Sequence, residues 1–196
     1  MAHVSIRDVE IVYKNTHGKD FVAITNIHFD VEQGEFITIV GPSGCGKSTL
    51  LSAINGLLTP ARGEIAIAGK TVKGPSQDRA MVFQEFALMP WRTIAENVWF
   101  GLELRGEKKE VLQKAADKYL KLVGLKNFSN HYPHQLSGGM RQRVGIARAL
   151  AINPDILLMD EPFGALDAQT REIMQSELLK IWEQDRQTVF FVTHGI

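Results

Sequence analysis

The sequence has little that would place it in a membrane, in an oxidising compartment or on nucleic acid. Its 196 residues include one cysteine, Cys45, so no intrachain disulfide can form and a reducing compartment is expected. No apolar run reaches the ~18 residues that span a bilayer, and Arg7, Asp8 and Glu10 occupy the start, where a secretory signal would be apolar. Basic and acidic residues number 22 each, so no strong net field favours nucleic acid. These absences predict a soluble cytoplasmic domain with one core.

The hydrophobic periodicity changes along the chain and predicts an α/β fold. Apolar and polar residues alternate over the first third, which predicts half-buried antiparallel strands. The apolar, β-branched run Phe36–Val40 predicts a strand buried on both faces, as in a parallel sheet. The stretch 93–151 has helical spacing. Further strands are predicted at 63–67, 81–83, 156–159 and 189–192, and helices at 47–57 and 168–184. Strands that alternate with helices imply a parallel sheet, with an antiparallel region before it and a helical insertion inside it.

The segment Gly41–Ser48 reads GPSGCGKS and matches the phosphate-loop pattern G-x-x-x-x-G-K-[ST]. It lies between a predicted buried strand and a predicted helix, which is the context that the motif requires; the alternative is a glycine-rich turn before a helix. Backbone N–H groups would converge on phosphate oxygens, Lys47 would neutralise the β- and γ-phosphates, and the Ser48 hydroxyl can ligate Mg²⁺. We therefore predict ATP and Mg²⁺ as ligands. The predicted nucleotide contacts here are Gly41, Pro42, Ser43, Gly44, Cys45, Gly46, Lys47, Ser48 and Thr49.

An acidic pair, Asp160 and Glu161, directly follows the predicted strand 156–159. The carboxyl edge of a parallel sheet is where such folds bind ligands. Asp160 would help to hold Mg²⁺, and Glu161 would polarise the water that attacks the γ-phosphate. The alternative is an acidic turn that caps a strand.

Five further features resemble the ABC (ATP-binding-cassette) ATPases. Leu136–Met140 reads LSGGM and resembles their signature motif, although alone it could be a helix N-cap with a glycine-rich turn. Gln84 follows a predicted strand as the family's Q-loop does, and Gly164–Asp167 resembles its D-loop. His194 follows a strand as the switch histidine does. Tyr13 stands where the family has an aromatic residue stacked on adenine, with ordinary strand packing as its alternative.

The resemblance implies a P-loop NTPase core with a parallel sheet, an N-terminal antiparallel β subdomain and an inserted α-helical subdomain. Residues 1–196 would be one nucleotide-binding domain, with the helical subdomain at about 87–151. Two such cassettes would pack head to tail as a homodimer, each ATP lying between one phosphate loop and the partner's signature residues. The residues implied on the signature side are Ser137, Gly138 and Gly139.

The resemblance also implies the catalytic roles. Glu161 would be the base, and His194 would contact the γ-phosphate. Gln84 would sense Mg²⁺ and the water. The implied catalytic residues are Glu161, His194, Lys47 and Gln84, and the implied metal ligands are Ser48, Gln84 and Asp160.

A narrower resemblance links the chain to the nitrate/taurine/alkanesulfonate importer ATPases. It lies in Gly74–Arg79, Phe86–Thr93 and Glu161–Asp167, and Pro90-Trp91 is its most telling pair. It implies integral-membrane permease subunits that are gripped by the helical subdomain, a periplasmic or lipoprotein solute-binding protein as an indirect partner, and no nucleic acid. The implied location is the cytoplasmic face of the membrane, as a peripheral subunit.

The sequence departs from the family pattern in two places. Met140 replaces the glutamine that commonly ends the signature, and Gly195 stands where an aspartate is usual. Family members continue beyond the histidine, so we expect the final part of a cassette to be absent. That expectation leaves the strand Thr188–Val192 with an unpaired edge and predicts poor hydrolysis.

Three alternatives stay open at this point. One is an ABC ATPase of DNA repair or translation rather than transport. Another is a small-molecule kinase or GTPase, which would share the phosphate loop but not the LSGG motif. The third is a truncated nucleotide-binding form with little hydrolysis.

Overall fold

The computed structural model describes residues 2–14 and 20–193, which form two four-stranded sheets and five α-helices. The strands are β1 Val4–Lys14, β2 Asp20–Val31, β3 Phe36–Val40, β4 Arg62–Ile67, β5 Lys70–Thr71, β6 Arg79–Val82, β7 Ile156–Asp160 and β8 Thr188–Thr193. The helices are α1 Lys47–Ile54, α2 Ile94–Leu104, α3 Lys109–Leu122, α4 Gly138–Ala151 and α5 Ala168–Asp185, with short 3-10 turns at Lys126–Phe128 and Pro133–Gln135.

The first sheet is antiparallel and has the order β2-β1-β4-β5. Val4 pairs with Val31 and Tyr13 with Phe21, so β1 and β2 run beside each other along their length. The antiparallel strands predicted for the first third of the chain are therefore present. This pairing places Tyr13, at the end of β1, beside the start of β2.

The second sheet is parallel and has the order β3-β8-β7-β6. Because all four strands point the same way, their carboxyl ends meet at one edge. That edge brings together the segments that follow β3, β6 and β7, which are the phosphate loop, Gln84 and Glu161. The topology explains why motifs far apart in the sequence come together in space.

Two expectations about the strands are wrong. The run Phe36–Val40 is not buried on both faces: none of its five residues is fully buried, and Thr38 and Val40 are exposed. Among the described strands β3 pairs only with β8 and is therefore an edge strand. Conversely, the strand expected to have an unpaired edge, β8, lies inside the sheet between β3 and β7, and Phe190 and Val192 are fully buried. A short apolar run indicates a strand but does not determine its position in the sheet, which depends on pairing with distant segments.

Two hydrophobic cores lie on opposite faces of the parallel sheet. One joins β7 and β8 to α1 and the antiparallel sheet, and it includes Leu51, Ile156 and Leu158. The other joins the same strands to α2–α5, and it includes Leu157 and Met159. Successive side chains of β7 point to opposite faces of the sheet, so one set packs against α1 and the other set packs against the remaining helices. No helix in the described part of the chain is both long and apolar enough to cross a membrane.

Candidate functional site

The phosphate loop, Gly41–Ser48, connects β3 to α1 and leaves the start of that helix open. The N-cap residue, Gly46, has φ 96° and ψ 9°, which is the left-handed region that favours glycine. A Cβ at Gly46 would overlap Ile24 Cγ2 and lie 2.9 Å from Ala23 O. No side chain of the described residues caps α1 through this N-cap position, so the first N–H groups of α1 remain available to an anion.

Lys47 is a buried cation held by the loop itself. Its side chain is only 7% exposed, and Nζ donates to Gly41 O at 2.7 Å and to Pro42 O at 2.8 Å. None of the ion pairs in the described part of the chain includes Lys47. A buried ammonium without a carboxylate partner is costly, and an anionic ligand removes that cost. The environment of Lys47 therefore fits a phosphate.

A groove of about 280 Å³ lies beside this loop. Tyr13 is 41% exposed there, so its ring is available to a ligand instead of being packed in the core, and its Oη lies 3.4 Å from Thr49 Oγ1. The residues that line the groove are Tyr13, Phe21, Ala23, Ser43, Gly44, Gly46, Lys47, Ser48, Thr49, Gln84 and Glu161. It thus brings residues from four separate predicted motifs to one place. Phe21 and Ala23 were not predicted from the sequence to be site residues. Because they lie on the strand that pairs with the one carrying Tyr13, they could have been included.

Asp160, the last residue of β7, is 5% exposed, and its Oδ1 has no hydrogen-bond partner among the described residues. An unpaired buried carboxylate oxygen fits a hard cation such as Mg²⁺. The described residues contain no group of three or more His, Cys, Asp or Glu side chains that could hold a metal. A cation at Asp160 would therefore need other oxygens, from hydroxyl, amide, phosphate or water, and Mg²⁺ commonly has such a mixed set. The residues present fit Mg²⁺ bound together with a nucleotide.

Glu161 occupies a strained turn after β7. Its φ is 48°, in the left-handed region, which costs a non-glycine residue roughly 1 kcal/mol. The backbone is held there because Glu161 N donates to Val192 O at 3.1 Å and Glu161 O accepts from Gly164 N at 3.1 Å. Glu161 borders both the groove beside the phosphate loop and a second cavity of about 550 Å³. Strain of this kind, fixed by two backbone hydrogen bonds, is common at catalytic positions.

The predicted signature residues lie at the start of α4. Ser137 is the N-cap, and its Oγ accepts from Met140 N at 3.3 Å. A Cβ at Gly139 would lie 3.2 Å from Ala165 O and from Leu166 Cδ2, so the glycine permits close contact with the Gly164–Asp167 turn. None of the residues 137–139 lines the groove beside the phosphate loop. Within one chain, the two predicted nucleotide-binding elements are separate.

The Gly164–Asp167 turn ends at the N-cap of α5. Asp167 Oδ1 accepts from Thr170 N at 2.9 Å. This backbone hydrogen bond, and with it the Thr170 side chain, holds the pKa of Asp167 below its ordinary value. The turn is thereby anchored to α5 on one side and packed against Gly139 on the other.

The segment after Gln84 is braced by two arginines of α4, for which no such role was predicted from the sequence. Arg148 donates from Nη1 to Ala87 O at 2.7 Å, and burial lowers the pKa of its guanidinium. The Arg141 guanidinium carbon lies 5.0 Å from the centroid of the Phe86 ring. Ala87 has φ 44° and needs such support. Their spacing of seven residues places both arginines on one helix face, and from this a shared contact could have been predicted.

A turn at residues 89–93 displays Trp91, which is 74% exposed. Asn97 of α2 is fully buried and holds the turn: its Oδ1 accepts from Met89 N, and the two hydrogens of its Nδ2 are shared among the carbonyls of Met89, Arg92 and Thr93. Near this turn is a groove of about 420 Å³ lined by Gln84–Leu88, Pro133 and Arg141. The sequence has an asparagine among apolar helix positions, and from this a buried hydrogen-bonding role could have been predicted.

Gly41, Pro42 and Cys45 belong to the phosphate loop but do not line the groove beside it. Cys45 is exposed. His194 lies outside the described residues.

Comparison with known proteins gives a consistent family. A family model described as ABC transporter matches residues 24–164. An uncharacterised ABC transporter ATP-binding protein of Methanocaldococcus jannaschii is 57% identical over 180 residues, covering 92% of this chain and 67% of the relative. A nitrate import ATP-binding protein of Synechocystis is 50% identical, and the alignment covers 99% of this chain and 73% of that protein. A taurine import ATP-binding protein of Rhizobium johnstonii is 48% identical, with coverages of 98% and 74%.

Solved structures confirm the predicted fold class. A dimeric ATP-binding cassette in a post-hydrolysis state, bound to ADP and Pi, superposes with a TM-score of 0.90 at 40% identity, covering 98% of this chain and 88% of that one. A dimeric bacterial ABC transporter cassette superposes with a TM-score of 0.91 at the same identity.

Proposed function

The chain belongs to the ABC transporter family, whose ATP-binding proteins are ATPases, and from this premise we propose that it energises an importer of the nitrate, taurine or sulfonate type. The observation that supports this proposal most is the convergence of Lys47, Ser48 and Glu161 on one groove at the carboxyl edge of the parallel sheet. A cation, a hydroxyl and a carboxylate are the groups that ATP hydrolysis needs.

Each side chain at this edge has a proposed role. The open N–H groups of α1 and the Lys47 ammonium bind the phosphates, and Tyr13 stacks on the adenine. Ser48, Gln84 and Asp160 would hold Mg²⁺, which neutralises charge on the β- and γ-phosphates when bound. Glu161 orients the attacking water and accepts its proton. His194 contacts the γ-phosphate.

The second half of each nucleotide site comes from a second copy of the chain. The separation of the signature from the phosphate loop within one chain supports a head-to-tail homodimer. In that dimer Ser137, Gly138 and Gly139 face the nucleotide bound by the partner, with N–H groups and a hydroxyl directed at the γ-phosphate. The two cassettes of known structure that this chain resembles are dimeric, which supports the proposal of a dimer.

The proposed membrane contacts lie on the helical side. Residues 1–196 form one nucleotide-binding domain, and its helical subdomain at about 87–151 presents Trp91 and the neighbouring groove to integral-membrane permease subunits. The chain is then a peripheral subunit at the cytoplasmic face, and a solute-binding protein is an indirect partner. A role in DNA repair or translation has no support among the relatives named above.

Two substitutions test the ATPase assignment. Lys47→Ala removes the phosphate cation and should lower the affinity for ATP roughly 10- to 100-fold, measured by titration with a fluorescent ATP analogue. Glu161→Gln should keep that affinity but slow phosphate release by about 10²-fold or more, because only the proton acceptor is lost. Lys70→Ala, on the exposed strand β5, is the matched charge control and should change neither quantity. Unchanged phosphate release by Glu161→Gln would refute the base assignment.

A further inference from the structure

Gln142, in the second turn of α4, is a buried amide with no use in the proposed mechanism. Its side chain is 2% exposed, and neither Oε1 nor Nε2 has a hydrogen-bond partner among the described residues. Buried amides are nearly always hydrogen-bonded, so such a group requires an explanation.

The neighbours of Gln142 on α4 define where its side chain lies. Residues three and four positions apart share a helix face. Gly138 and Gly145 face the segment after Gln84, since a Cβ on either would lie 3.6 Å from Phe86 Cζ or 3.7 Å from Phe86 O. Gly139 faces the Gly164–Asp167 turn. On a helical projection Gln142 falls between these two directions, at the junction of both segments.

A second buried glutamine shows what a satisfied amide looks like in this fold. Gln187 is 8% exposed, and its Nε2 donates to Asn153 Oδ1 at 2.9 Å. Gln187 lies at the opposite end of the parallel sheet, just before β8. The contrast indicates that the unpartnered amide is a property of the position of Gln142 and not of buried glutamines in general.

We propose that Gln142 is a positioning residue for ATP hydrolysis, whose amide bridges the segment after Gln84 and the Gly164–Asp167 turn in the nucleotide-bound dimer. A carboxamide has both donors and an acceptor, so it can bond to a carbonyl of one segment and an N–H of the other. Both segments carry strained backbone, at Ala87 and at Glu161 beside the turn, as segments that change between states often do. The bridge aligns Gln84 and Glu161 when α4 engages the partner's nucleotide.

This inference rests on the proposed function, and Gln142→Met tests it. Methionine keeps the length and apolar stem but removes both hydrogen-bonding groups. In the nucleotide-free chain, the midpoint of thermal unfolding should rise by about 2–4 °C, because an unsatisfied amide is removed. In phosphate release with Mg²⁺ and ATP, kcat should fall about tenfold with KM within twofold, since an interaction made only in the hydrolytic state is lost.

The matched control is Gln187→Met, which removes a satisfied amide away from both segments. It should lower the unfolding midpoint and leave kcat unchanged. A fall in the unfolding midpoint of Gln142→Met would overturn the inference, because it would show that the amide is already satisfied in the resting chain, for example by a buried water. An unchanged kcat would overturn it as well. Absence of phosphate release from the unsubstituted chain would instead count against the proposed function.

Discussion

The two helices proposed to bind one ATP, α1 of one chain and α4 of its partner, begin in different ways. Helix α1 starts at Gly46, which has no side chain, and no side chain of the described residues caps α1 through this N-cap position. Helix α4 starts at Ser137, whose Oγ already accepts a hydrogen bond from Met140 N at 3.3 Å. The α1 terminus therefore has no side-chain cap that competes with phosphate, whereas at the α4 terminus one N–H group is already bonded to the N-cap side chain.

This difference indicates an order of events. The end of α1 can bind ATP within one chain, because its N–H groups need no rearrangement. The Ser137 hydroxyl can donate its own hydrogen to a γ-phosphate while its Oγ accepts from Met140 N, but in the proposed dimer that phosphate belongs to the ATP bound by the partner chain. We therefore expect the single chain to bind ATP and the closed dimer to hydrolyse it.

The largest expected effect comes from adding a methyl group at each terminus. Gly46→Ala overlaps Ile24 and requires a left-handed alanine, so ATP affinity of the single chain should fall by about 10²-fold or more. Gly139→Ala meets Ala165 O and Leu166 Cδ2 at 3.2 Å, a tight contact that small shifts relieve. It should keep single-chain affinity and weaken ATP-induced dimerisation roughly tenfold. Titration below the dimerisation concentration and light scattering above it separate the two. If both variants lost single-chain affinity for ATP to the same extent, the proposed difference between the two helix termini would be refuted.

A smaller effect is expected from changing the capping group of α4. Ser137→Ala removes the cap and should lower the free energy of unfolding by about 1 kcal/mol. Ser137→Asp keeps a capping oxygen, so stability should be retained, but its charge opposes the γ-phosphate and hydrolysis should fall about tenfold or more. Denaturant unfolding and phosphate release measure the two properties. If Ser137→Asp hydrolysed ATP like the unsubstituted chain, the hydroxyl would not face the phosphate.

The smallest effect concerns a third terminus, which meets no proposed ligand. At the start of α2, Glu96 Oε2 accepts from Thr93 N at 2.7 Å, and this bond, followed by that from the Thr93 hydroxyl, holds the pKa of Glu96 below its ordinary value. Its stabilising contribution is complete above the pKa of the unfolded chain and is lost as the pH falls through the lower folded value. Glu96→Gln should therefore cost about 0.3–1 kcal/mol at pH 7 and nothing at low pH. Unfolding curves at both pH values check this, with ATP affinity at pH 7 unchanged.

The local structure was largely predictable, because it depends on nearby residues. The helix predicted at 168–184 is α5, and the predicted strand 156–159 is β7. The position of β3 in the sheet was not predictable, since Phe36–Val40 has the same apolar character in the interior of a sheet as at an edge. Strand order depends on pairing between segments about 150 residues apart, such as β3 with β8.

The candidate site likewise contains residues that could be predicted from the sequence and residues that could not. Lys47, Ser48 and Glu161 were found from the sequence because phosphate chemistry requires those residue types at fixed spacing. Arg148, Asn97 and Gln142 were not found, because their roles depend on which loops pack against them. The roles of such supporting residues can be recognised only once the fold shows which backbone groups lie beside them, or that no hydrogen-bond partner does.

The hydrogen bonds of Asn97 would have a consequence for the proposed assembly with a permease. They fix the backbone of the turn that carries Trp91 before any partner arrives. A partner that docks on Trp91 then loses little conformational entropy in ordering that turn, so more of the contact energy remains as affinity. If a permease docks there, Asn97 would contribute to the affinity of the complex without being part of its contact surface, and selection for partner choice could act on a residue in the interior of the protein.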